Sequence, residues 1–73
     1  MELVIYFKSL VDETNKGYFL RMRKTGFSSV NNVDRARKFK SQKDVNIILD
    51  KLKNMEREYY KFEVWEVLSN GRN

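Results

Sequence analysis

A single stretch of this chain carries a clear α-helical period, and it limits what the rest can be. Ser41 opens it with a hydroxyl able to cap the first turn, and Asp44 completes a capping-box-like S-x-x-D. Val45, Ile48, Leu49, Leu52 and Met55 follow at i, i+3, i+4, i+7 and i+10, with Lys43, Asn46, Asp50, Lys53 and Arg57 opposite. The spacing predicts a helix over 42–57. One amphipathic helix must bury its stripe against another element, so the remaining segments have to provide a sheet.

They read as strands. Residues 3–8 are apolar, β-branched and aromatic, and Val11–Gly17 is turn chemistry with acids, Asn and Gly. Tyr18–Arg23 is a second strand, so 3–23 reads as an antiparallel hairpin that Lys24-Thr25-Gly26 ends. Phe27–Asp34 is polar and irregular, Ala36–Lys40 a short strand and Tyr59–Leu68 the last one, followed by a tail over 69–73 expected to be disordered. The order β-β-(β)-α-β predicts a small α+β two-layer sandwich. Its mainly antiparallel sheet has three or four strands, with one helix on one face. All of 1–73 forms one domain.

Charge is segregated. Of fifteen basic residues, nine fall between Lys16 and Lys43 against the single acid Asp34, a net +8 in a chain whose total is +5. A like-charged patch attracts an anionic partner, whereas mixed charge mainly confers solubility. With no Cys and no His, neither a disulfide nor a structural zinc site can reinforce so small a core, and a homodimer is one way to compensate. The absence of Cys fits a reducing cytoplasm. The N-terminal apolar run is too short for a signal peptide, and nothing approaches the roughly 20 apolar residues of a membrane span. The expected location is therefore the cytoplasm, with no membrane partner.

Strand alternation assigns faces. Leu3, Ile5, Phe7, Leu20, Met22, Phe39, Phe62 and Val64 would face the helix. Val4, Tyr6, Lys8, Phe19, Arg21, Arg23, Lys38, Lys40, Lys61, Glu63, Trp65 and Val67 would face away. The last strand has two competing phases, Phe62-x-Val64 and Trp65-x-Val67; a reversed parity, a bulge or a dimer contact would each account for this. The second face combines Tyr6, Phe19 and Trp65 with basic residues. Such a surface is either a sheet face covered by long side chains, or one where rings stack on bases and Lys or Arg hold phosphates.

Catalysis finds little support. Without His or Cys the commonest general base and the best nucleophile are missing, and the carboxylates sit in turns, on the helix or beside bases. Asp12 with Glu13 reads as a loop pair before it reads as a metal site, and Gly17, Gly26 and Gly71 make no phosphate-binding loop. No cofactor, metal or enzymatic activity is expected. The helix mixes Asp50 among its bases, unlike a lipid-binding helix, and its stripe reads as core.

Three segments carry a resemblance: Gly17-Tyr18-Phe19-Leu20-Arg21, the run from Val33 to Ser41, and Phe62-Glu63-Val64-Trp65-Glu66-Val67. Through them the chain resembles small uncharacterised proteins encoded by phages and prophages of Gram-positive bacteria, in which an Ala-x-x-Phe-x-Ser segment leads into a helix and a final strand. The resemblance implies a mobile-element origin, a bacterial host cytoplasm and a host- or DNA-directed binding role. The chain is also similar to the small sheet-plus-helix DNA-binding domains at the N-termini of tyrosine integrases, from which its strand after the helix departs.

The residues therefore point to a binding module. Arg21, Arg23, Lys24, Arg37, Lys38 and Lys40 would meet phosphates, and Tyr6, Phe19 and Trp65 would stack or pack. The alternative is a protein-directed factor, docking on an acidic host protein or on a second copy of itself, with Trp65 and arginines as anchors.

Overall fold

The computed structural model describes residues 2–56 and 59–67. It is an α+β fold: four antiparallel strands and one helix on a face of the sheet. The strands are β1 (Glu2–Ser9), β2 (Lys16–Arg23), β3 (Gly26–Val30) and β4 (Tyr60–Val67), and the helix α1 is Gln42–Glu56. Sheet order is β3-β2-β1-β4. The expected tail over 69–73, like Leu68 and Arg57, lies outside the described residues.

The β1–β2 hairpin forms as the alternation predicts, with Tyr6 opposite Tyr18 and Lys8 opposite Lys16. Its loop is closed by short polar side chains. Ser9 Oγ accepts from the amides of Val11 and Asp12, and Asp12 Oδ1 accepts from the hydroxyl and amide of Thr14. The Thr14 hydroxyl, then its amide, hold the Asp12 carboxyl below the usual carboxylate range. Asp12 is thus a turn-closing residue. Among the described residues no three Asp or Glu side chains gather as metal ligands would.

The third strand lies elsewhere than the sequence indicates. Gly26–Val30 pairs with β2, so the segment read as irregular supplies the edge strand, with Phe27 packed against the core. Gly26 permits the tight reversal after Lys24-Thr25 by adopting φ 114°. Ala36–Lys40, read as a strand, contributes a lone bridge between Phe39 and Leu3. Before it, Val33–Arg35 forms a single 3₁₀ turn, capped where Asn32 Oδ1 accepts from the Asp34 amide.

The decisive departure is in β2. Phe19 pairs with Ser29 but Arg21 pairs with Ser28, leaving Leu20 as an extra residue in a β-bulge. Before the bulge odd residues point inward; after it even ones do. Phe19, assigned to the outer face by strict alternation, is 1% exposed and belongs to the core with Ile5, Phe7, Phe39, Val45, Leu52 and Phe62. Leu20, assigned inward, is not part of that core. Met22 packs inward as expected, and Arg21 and Arg23 point out.

The helix begins where the cap predicts. Ser41 Oγ accepts from the Asp44 amide at 3.1 Å, and the Val45 amide closes the first turn on the Ser41 carbonyl. Val45 and Leu52 are fully buried and Ile48 and Leu49 pack beside them, whereas Met55 at the end of the stripe is exposed. Substituting Ser41→Ala should cost about 1 kcal/mol, read as a lower urea midpoint at unchanged m-value.

Candidate functional site

In β4, Phe62 and Val64 face the helix while Lys61, Glu63 and Trp65 face away, so the first of its two phases holds. The outer face therefore keeps Trp65, 40% exposed, in register with Val4 of β1. Register and bulge bring a partner the alternation had not placed there. Tyr18, not Phe19, is the β2 ring on this side.

Tyr6, Tyr18 and Trp65 form one cluster. The Tyr6 and Trp65 rings stack with centroids 4.4 Å apart and planes 19° from parallel. Tyr18 stands edge-on to both, 5.6 Å from Tyr6 and 5.9 Å from Trp65. Glu63 fixes the indole: its Oε1 accepts from Trp65 Nε1 at 3.0 Å, while its Oε2 lies 3.6 Å from Lys61 Nζ. An open depression of about 450 Å³ adjoins the cluster, lined by Tyr6, Tyr18, Trp65, Thr14, Lys16 and Asn31.

Val4 also points outward yet is wholly buried, and neither it nor buried Ala36 belongs to the core under the helix. Asn31, which lines the same depression as Tyr6, Tyr18 and Trp65, puts the start of the segment after β3 on this face. This segment leaves β3 at Val30, opposite Tyr18, and reaches the β1 side of β2, where the Arg37 amide donates to the Phe19 carbonyl. It thus crosses the outer face between Tyr18 and Arg21 as a ridge.

The basic residues divide around that ridge. Lys8, Lys16 and Lys61 lie with the aromatic cluster; Arg21 and Arg23 lie beyond, and Lys24 is exposed in the β2–β3 turn. Arg23 Nε donates to Ser28 Oγ across the strand pair. Lys38 is not a free surface cation. Its ammonium donates to the carbonyls of Val33, Asp34 and Ala36, holding that turn together. Arg37 also departs from the expected surface, its guanidinium lying 5.5 Å from the Phe39 ring centroid. With Lys40 it lines a groove of about 380 Å³ against Asp44, Ile47 and Ile48 of α1.

The outer sheet face thus offers Lys8, Lys16, Arg21, Arg23 and Lys61 against Glu2 and Glu63, around three aromatic rings. Among the expected residues it joins Tyr6 and Trp65, sets Arg21 and Arg23 apart from them, and excludes Phe19. Tyr18, Lys16 and Asn31 were missed. Tyr18 is hidden from the sequence because the hairpin pairs about Asp12, with Tyr6 opposite Tyr18 and Lys8 opposite Lys16, whereas a turn centred on Val11–Gly17 would set Met22 opposite Tyr6.

No helix among the described residues is long and apolar enough to cross a membrane. Comparison with protein-family models, with curated proteins and with solved structures finds no match to this chain.

Proposed function

We propose that this protein is a non-enzymatic binding module whose outer sheet face contacts nucleic acid. The observation that carries the reading is the Tyr6–Tyr18–Trp65 cluster standing outside the core on the same face as five basic residues. Rings present π-faces for bases and the cations neutralise phosphates, a combination that a merely solvated sheet face does not need. The resemblance to phage-encoded proteins points the same way, toward a mobile-element factor acting in a bacterial cytoplasm.

Binding to mixed-sequence DNA and RNA should weaken as salt rises, with roughly 0.7–0.9 in the slope of log affinity against log salt for each phosphate contact. Replacing Arg21 and Arg23 together by alanine should flatten that slope by roughly 1.4–1.8. Fluorescence anisotropy over a salt series measures both. An affinity indifferent to salt would sink the reading.

A second reading, docking on an acidic protein or on another copy of the chain, is favoured by a different surface. Leu10 is 59%, Val11 84% and Tyr59 55% exposed, and the Leu10 amide donates to the Tyr59 carbonyl, so these apolar groups share one end of the sheet. A solution mass above that of one chain, lowered by Val11→Asp, would support it.

A further inference from the structure

Resting on the nucleic-acid reading, we infer that the depression beside Tyr18 seats an unpaired base, so that the ligand is single-stranded. The three rings do not form one flat plate. Tyr6 already covers a face of Trp65, and Tyr18 stands 78° from the indole plane, which makes a step rather than a platform. The step opens into the depression of about 450 Å³.

Its polar lining suits a nucleotide. Lys16 supplies a cation for a phosphate, while Asn31 carries an amide with both donors and an acceptor, as base edges require. Asn31 stands at the start of the ridge, so the crossover walls the depression on the side facing Arg21. The carboxylates at its margin are engaged: Glu63 is held by Trp65 and Lys61, and Asp12 by the hydroxyl and amide of Thr14.

A paired duplex cannot use this site. Its base faces are stacked inside the helix, so none is free to lie against Tyr18. A splayed base from a single strand can enter, and stacking on rings is how such strands are held without sequence preference. Counted along their partners in β3, Val30 for Tyr18, Ser28 for Arg21 and Gly26 for Arg23, the two arginines lie about 7 and 13 Å further along β2 by strand rise, across the ridge. They add attraction for the following backbone and no base contact.

The chain has one tryptophan, Trp65, so its own fluorescence reports on the site. Titration with a short oligothymidylate should quench Trp65 saturably, and a fully paired duplex of the same length should not. Tyr18→Ala should weaken single-strand binding about 5- to 150-fold, the worth of one base–aromatic stack. Tyr18→Phe should restore it, which separates loss of the ring from loss of the fold. Equal, salt-sensitive binding of both probes without quenching would overturn the base seat while leaving the basic face as a nucleic-acid surface. No binding of either probe would overturn both and favour a protein partner.

Discussion

Replacing Phe19 by alanine should remove most of the protein's stability. The ring is 1% exposed and packs with centroids 6.1 Å from Phe27 and 6.3 Å from Phe39, in the layer between sheet and helix. Emptying such a site costs about 3–5 kcal/mol, transfer and cavity together. Stabilities run at roughly 0.05–0.15 kcal/mol per residue, so a chain this short has about 4–11 kcal/mol in all. Urea unfolding followed by far-UV circular dichroism gives the number. A loss below about 0.5 kcal/mol, the scale of a surface substitution, would return Phe19 to the outer face and remove the bulge from β2.

Gly17→Ala should also destabilise, although the same change often stabilises a chain by restricting its unfolded state. A Cβ there would meet the Val30 carbonyl oxygen at 2.8 Å and two ring carbons of Phe7 at 3.4 and 3.5 Å. The ring could give way. The carbonyl cannot do so easily, because Val30 is held in register opposite Tyr18. Overpacking of this kind costs roughly 1–3 kcal/mol. At about 4–8 °C per kcal/mol for a domain of this size, the melting temperature should fall by roughly 5–20 °C. A rise instead would mean that β3 can shift outward without loss.

What could be read in advance followed from periods that run uninterrupted. The helix was legible because Ser41 and five apolar residues agree on one start and one face, and β1 because Leu3, Ile5 and Phe7 alternate without a break. The α+β architecture came from those elements and the strand after them. β2 was misread since alternation assumes one residue per step, and Leu20 adds a step with no sequence mark of its own. That error displaced Phe19 outward and hid Tyr18, so the aromatic cluster was expected with the wrong member. β3 was missed for another reason. Gly26-Phe27-Ser28-Ser29-Val30 has the composition of a loop, and it is a strand because β2 offers it an edge and the core accepts Phe27. Lys38 looked free because a side chain's charge shows in sequence and the carbonyls awaiting it do not.

The strand order also sets a timetable for synthesis. β1 lies inside the sheet, yet one of its two neighbours is β4, with Glu2 opposite Val67 and Ser9 opposite Tyr60. The hairpins of β1, β2 and β3 can close while the chain is still being made. The far side of β1 waits for β4, and at about 5–20 residues per second the delay is roughly 3–10 s. During that interval a nascent chain shows a bare strand edge containing Val4, Ile5 and Phe7, the kind of edge that pairs with whatever strand is nearest. The most hazardous moment for this molecule therefore comes during translation, before its last strand has emerged.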